Sequence, residues 1–147
     1  MEVTGEHKFD APRAAVWKAL LDPKALQASM PGCEKFEEVG PSSYDLTIKV
    51  GIAAIKGTYS GNVRVADPVE NQSYRLVVQG SGKPGTVQGD ATLSLSDVAG
   101  GTLVKYVGDV KAQGAIARLG SRLLGGAAKL MIGQFMKAME KQVEGRT

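Results

Sequence analysis

The groups in this sequence able to move protons or hold a metal are few: one histidine, one cysteine and fifteen carboxylates in 147 residues. Acid and base catalysis needs a titratable group held inside a pocket. Any Cys-His or Ser-His-Asp arrangement here has to converge on His7, and a histidine-based metal site lacks its second imidazole. His7 stands on the apolar face of an alternating run and is read as a packed core histidine. Asp90 and Asp109 could approach each other across adjacent strands, but a pair of outward strand carboxylates points to no reaction. No glycine-rich phosphate loop follows a strand, and Gly80-Ser81-Gly82-Lys83 reads as a hairpin end. The tyrosines fall on inward positions and the lysines are scattered, so the interleaved basic and aromatic face of a nucleic-acid reader is missing. No catalytic residue and no metal site is predicted. What remains is an apolar interior dotted with tyrosines, which suits a small molecule better than a reaction.

The elements that would enclose such an interior can be read in order. Val3, Gly5, His7 and Phe9 alternate with Glu2, Thr4, Glu6 and Lys8, the period of a strand with one buried face. Asp10-Ala11-Pro12 and Asp22-Pro23 each offer a helix start, predicting two short helices, the first carrying Val16, Trp17, Leu20 and Leu21 and the second ending at Met30-Pro31-Gly32. Short alternating runs then predict six antiparallel strands at 34–39, 43–50, 53–66, 73–82, 86–96 and 102–112. Gly57, Gly61 and Gly89 lie inside the longer runs and are expected to mark bends or bulges in a curved sheet. From 116 to about 143, apolar residues recur at 119, 123, 127, 130, 131, 135, 138 and 139, predicting a long helix lying in that sheet. Its Gly125-Gly126 pair predicts a break or hinge, or close packing on the sheet. Arg118, Arg122 and Lys129 are expected to form one basic stripe. A cavity between helix and sheet is expected to be lined by Tyr59, Tyr74, Val78, Leu93, Tyr106, Leu123, Ala127, Met131 and Phe135.

Length and composition set the outer bounds. The chain is the usual size of one domain, and with 43% hydrophobic and 22% charged residues it is expected to fold as a single unit over 1–147. Nineteen glycines are about twice the average usage of roughly 7%, so bare backbone is needed somewhere. The lone Cys33 forms no internal disulfide, and neither a secretory leader nor a spanning segment is read, so a cytoplasmic protein is expected. Charge is uneven: residues 111–147 hold seven Lys/Arg against two Glu, and residues 1–110 hold eleven against thirteen Asp/Glu. The basic tail predicts contact with an anionic surface or an acidic partner.

The order strand, two short helices, six strands and long helix resembles the α+β helix-grip fold of the START and Bet v 1-like (SRPBCC) superfamily, a seven-stranded curved antiparallel sheet around a C-terminal helix. Three segments narrow the resemblance: Val16-Trp17-Lys18-Ala19-Leu20-Leu21-Asp22-Pro23 with Met30-Pro31-Gly32-Cys33 following, Ile55-Lys56-Gly57-Thr58-Tyr59-Ser60-Gly61, and residues 114–126. Together they resemble the CoxG family of carbon monoxide dehydrogenase subunits over essentially the whole chain. That resemblance implies a non-catalytic accessory of the molybdenum carbon monoxide dehydrogenase or a related hydroxylase, on the inner face of the cytoplasmic membrane. Some members continue into an apolar tail, whereas this sequence stops at Gly145-Arg146-Thr147. Fold and system together lead to the expectation of a lipophilic-ligand binding protein with no covalent cofactor, its ligand an isoprenoid quinone such as menaquinone or another lipid. The alternatives are a membrane-docking or assembly factor without ligand, and an enzyme of the polyketide cyclase type.

Overall fold

A computed structural model describes residues 1–145; Arg146, one of the basic residues counted in the tail, and Thr147 lie outside the described residues. The chain runs β1 (Glu2–Phe9), α1 (Arg13–Leu21), α2 (Pro23–Ser29), β2 (Cys33–Gly40), β3 (Ser43–Val50), β4 (Gly57–Val69), β5 (Ser73–Gly82), β6 (Gly85–Val98), β7 (Gly101–Gln113) and α3 (Gly120–Glu144). Seven antiparallel strands form one sheet in the order β1-β7-β6-β5-β4-β3-β2. The six strands from β2 onward are a meander of neighbours, and β1 is brought back to pair with β7 along its whole length, Glu2 opposite Asp109 through Phe9 opposite Thr102. The helices cover the inner face, and α3 crosses it as the alternation of buried residues requires.

Local chemistry accounts for the helix starts. The Asp22 carboxylate accepts from the Lys24 amide at 3.0 Å, and Pro23 occupies the first turn, where its missing N–H is not needed. Ahead of α1, Pro12 occupies the cap position and no side chain caps the helix, so Asp10 does not play the capping part its position predicts.

Three further expectations are corrected. The run 53–66 is not one strand: Ala53–Ile55 is a single 3₁₀ turn that tucks Ile55 inward, and β4 begins at Gly57. The long helix does not begin at 116, because Ala115–Leu119 is a separate 3₁₀ segment flanked by Gly114 (φ 88°) and Gly120 (φ 83°), backbone that L side chains rarely adopt. The shifts in strand register fall between Ala66 and Val69 and at both ends of β2, not at Gly61 or Gly89.

Two apolar clusters result. One, at the end where α1 and α2 sit, is packed from Phe9, Trp17, Leu20, Leu26, Tyr74, Leu93, Met136, Met139 and Val143. The other gathers Val50, Ile55, Tyr59, Ile116 and Ala127 around the first half of α3.

Candidate functional site

Between the first half of α3 and the sheet lies a cavity of about 310 Å³. Its sheet wall is built from Val3 of β1 and from inner-face positions of β3 to β7, with small residues at several of the opposed positions. Val78 faces Gly89, Gly89 faces Val110, and Ala91 faces Gly108, all across neighbouring strands and all on the cavity wall. The missing side chains of Gly89 and Gly108 on the sheet floor contribute to this room. From α3 the wall takes Leu124, Ala127, Ala128, Met131 and Ile132.

Of the nine predicted lining residues, the structure brings Tyr59, Val78, Tyr106, Ala127 and Met131 together on this cavity. Tyr74 and Leu93 share their inward parity but lie in the solid cluster, where Tyr74 meets Trp17 edge-on with ring centroids 5.7 Å apart. Burial there pushes the Tyr74 phenol well above its ordinary range. Phe135 packs against that same cluster. Leu123 faces away from the sheet and is 54% exposed; the inward position is its neighbour Leu124, because the helix begins at Gly120 and its buried arc runs through Ala127, Met136, Met139 and Val143. Leu130, a second residue of the predicted arc, is 50% exposed on the side of Leu123. The signal that would have located the cavity lay in the sequence as small residues at inner-face strand positions, Gly89, Ala91 and Gly108.

The Tyr59 hydroxyl donates to the Ile55 carbonyl at 2.7 Å, and burial raises its pKa. Tyr106 lies with its ring end over Gly5 of β1, where a Cβ would collide with the phenolic oxygen, and burial raises its pKa as well. A second crevice of about 330 Å³, lined by Pro31, Gly32, Lys49, Gly51, Ile52 and Gln134, shares Val50 and Met131 with the cavity.

The remaining titratable candidates have structural partners. His7 is not a core residue as predicted: it is half-buried, with Nε2 2.6 Å from Glu140 Oε1 on α3 and its ring edge-on to Phe9. Asp90 and Asp109 do stand opposite each other, but each has its own cation. Hydrogen bonds from Arg75 hold the Asp90 carboxyl below the usual carboxylate range, and the Met1 ammonium does the same for Asp109. The Cys33 thiol donates to the Lys35 carbonyl at 3.3 Å, and burial raises its pKa. Among the described residues, no cluster of three or more His, Cys, Asp or Glu is placed to hold a metal.

On the outer side of α3, Arg122 and Lys129 are exposed and make no ion pair among the described residues. Arg118 is also exposed but sits on the 3₁₀ segment before Gly120, so the three do not form the single helical stripe predicted. The helix runs unbroken through Gly125 and Gly126; the break is at Gly120. Close packing does not explain these glycines either, since a Cβ at Gly126 would meet open space and one at Gly125 only the Met1 sulfur at 3.8 Å. No helix among the described residues is long and apolar enough to cross a membrane.

Known structures share this fold. A conserved protein from Geobacillus kaustophilus has a crystal structure that superposes with a TM-score of 0.94 at 32% identity, covering 99% of this chain and 96% of that one. A START superfamily protein from Mycobacterium smegmatis gives 0.78 at 18% identity over 99% of both chains. The crystal structure of Ara h 8.0201 gives 0.71 at 18% identity over 99% of this chain and 98% of that one. None of the curated proteins compared matches the sequence. The fold is the START-like helix-grip fold, and residues 5–144 match the family described as CoxG, a carbon monoxide dehydrogenase subunit, and this is the family to which the chain belongs.

Proposed function

We propose that this protein is a non-catalytic carrier for a lipophilic small molecule, an isoprenoid quinone such as menaquinone, working between the inner face of the cytoplasmic membrane and a molybdenum carbon monoxide dehydrogenase or related hydroxylase. The observation that carries the reading is the apolar cavity between α3 and the sheet. Each 100 Å² of apolar ligand surface removed from water there contributes about 2.5 kcal/mol before the costs of association. With the head of such a ligand in the cavity, a longer tail would have to lie along the neighbouring crevice, which shares Val50 and Met131 with it. The test is native mass spectrometry of protein purified from a menaquinone-containing host, followed by organic extraction. A bound lipophile is expected. A mass equal to the bare chain, together with no binding of added menaquinone at tens of micromolar, overturns the carrier.

The outer side of α3 supports the membrane part of this reading and equally a docking factor that needs no ligand. Leu123 and Leu130 are exposed there together with Arg122 and Lys129, and Arg118 lies just before the helix. Near an anionic bilayer each cation contributes about 1 kcal/mol, enough for reversible contact that salt weakens. Co-sedimentation with anionic vesicles at low salt is expected for the wild type and lost in an Arg118/Arg122/Lys129→Glu variant. Equal binding of both proteins to anionic and neutral vesicles overturns the electrostatic contact. A docking factor would keep vesicle binding with the cavity blocked by Ala127→Trp and still support the dehydrogenase; a carrier would not support it.

A further inference from the structure

The cavity wall carries two phenolic hydroxyls, and they differ. Tyr59 spends its hydrogen on the Ile55 carbonyl. The Tyr106 hydroxyl makes no hydrogen bond among the described residues, although its ring lines the cavity. The cavity wall that its ring shares is apolar, with Val3 from β1, Leu76 from β5, Ala91 from β6, Val110 from β7 and Ile132 from α3, and the hydroxyl itself lies over Gly5. Asp90 and Asp109 border the same space, but their carboxylates are committed on the outer face to Arg75 and the Met1 ammonium. Tyr106 is therefore the free side-chain donor on this wall.

A hydroxyl donor left dry and unpaired costs about 1–3 kcal/mol, so in the empty cavity it is hydrated, and a ligand that displaces that water without replacing its bond loses affinity. An apolar wall with one free donor selects a molecule that is apolar over most of its surface and offers one acceptor at a defined place. The position of the donor adds a direction. Tyr106 and Val3 belong to the β7 and β1 side of the sheet, whereas the crevice, which shares Val50 and Met131 with the cavity, lies on the β3 side.

We propose that Tyr106 donates a hydrogen bond to a carbonyl oxygen of the ligand, which sits polar end first against β1 and β7 with its apolar chain leaving past Val50 and Met131. This rests on the reading of the cavity as a binding site and adds to it the ligand's polar chemistry and orientation. Gly5 is part of the device, since any side chain there would push the phenol off β1.

The test uses two ligands of nearly equal shape, methyl nonyl ketone and n-undecane, measured by displacement of a fluorescent naphthalene sulfonate from wild type and Tyr106→Phe. The variant keeps the ring over Gly5 and removes only the hydroxyl, with thermal unfolding confirming that it folds. Ketone affinity is expected to fall about five- to tenfold in Tyr106→Phe, the loss of one hydrogen bond, while undecane affinity does not fall but rises, since the variant has no hydroxyl for the alkane to leave dry. Equal ketone binding by both proteins overturns the donor while leaving the cavity as a binding site. Failure of both ligands to bind the wild type overturns the binding reading, and this proposal with it. For the orientation, Met131→Trp is expected to weaken a long-chain methyl ketone of about twenty carbons far more than methyl nonyl ketone; an equal effect on both overturns the polar-end-first placement.

Discussion

The two halves of α3 lie on the same sheet and end in opposite states. The second half, from Met136 to Val143, is sealed against Trp17, Leu20, Leu26, Tyr74 and Leu93, with α1 and α2 closing that end. The first half, from Leu124 to Ile132, faces a floor of Gly89, Ala91 and Gly108 and leaves about 310 Å³ empty. Stability and capacity are thus separated along one helix. The filled end can hold the fold together while the hollow end keeps a void that a uniformly packed core would have closed.

The sharpest way to break this comparison is to truncate one side chain in each half. Leu20→Ala or Met139→Ala in the sealed end is expected to cost about 2–5 kcal/mol, the transfer loss plus a new cavity. Leu124→Ala, whose side chain already borders empty space, is expected to cost only about 1 kcal/mol, the transfer part alone. Urea unfolding of the variants measures both, and equal losses would mean that the two halves share the load.

Filling the hollow is the converse experiment. A Cβ at Gly89 makes only ordinary contacts, at 4.0 Å from the Asp109 carbonyl and from Val78. Gly89→Leu is expected to keep stability within about 1 kcal/mol of wild type while lowering affinity for a cavity ligand at least about tenfold, as is Ala127→Trp. A Gly89→Leu protein that binds as well as wild type would move the site elsewhere.

Smaller effects belong to the outer side of α3. Since a Cβ at Gly126 or Gly133 meets open space, each change to Ala is expected to stabilise by up to about 1 kcal/mol and to leave ligand affinity unchanged. Slower ligand release from the double variant would show that the glycines serve motion instead.

The smallest effect lies on the convex face of the sheet. Asp90 and Asp109 have folded pKa values held below their unfolded ones by Arg75 and the Met1 ammonium. Their contribution is therefore present above the ordinary carboxylate value of about 4 and is lost as pH falls through the folded values. Asp90→Asn is expected to shift the urea midpoint at about pH 6 and to leave it unchanged well below the carboxylate range. Although both residues border the cavity, their carboxylates are held on the outer face by Arg75 and the Met1 ammonium, so ligand affinity is expected to stay the same.

Much of this architecture was legible because strands announce themselves twice, by alternation and by the turns between them. The predicted runs 43–50 and 73–82 coincide with β3 and β5, and those for β6 and β7 stop one or two residues short at each end. The 3₁₀ turns at Ala53–Ile55 and Ala115–Leu119 were not legible, since three to five residues offer no periodicity to read. Parity also has a limit: it assigns Tyr74 and Val78 to the same face without saying that one lies beneath α1 and the other beneath the cavity. That distinction depends on where α1 and α2 come to rest, which is a tertiary fact. Leu123 was misplaced for a related reason, as a one-residue error on a helix turns a side chain by about 100°.

The pairing of β1 with β7 has a consequence in time. Every other strand pair joins neighbours in sequence through a connection of at most six residues, the longest holding the 3₁₀ turn Ala53–Ile55, whereas Phe9 and Thr102 must find each other across most of the chain. Closing so long a loop carries the largest entropic cost in the sheet, so the meander from β2 to β7 is expected to assemble first and β1 to dock last. Val3→Ala and Phe9→Leu should then speed unfolding and hardly slow refolding in stopped-flow measurements. Val3 is cavity wall and Gly5 is the seat of Tyr106, so with β1 docking last the pocket would be completed only at that step, and a ligand is expected to slow unfolding without speeding refolding.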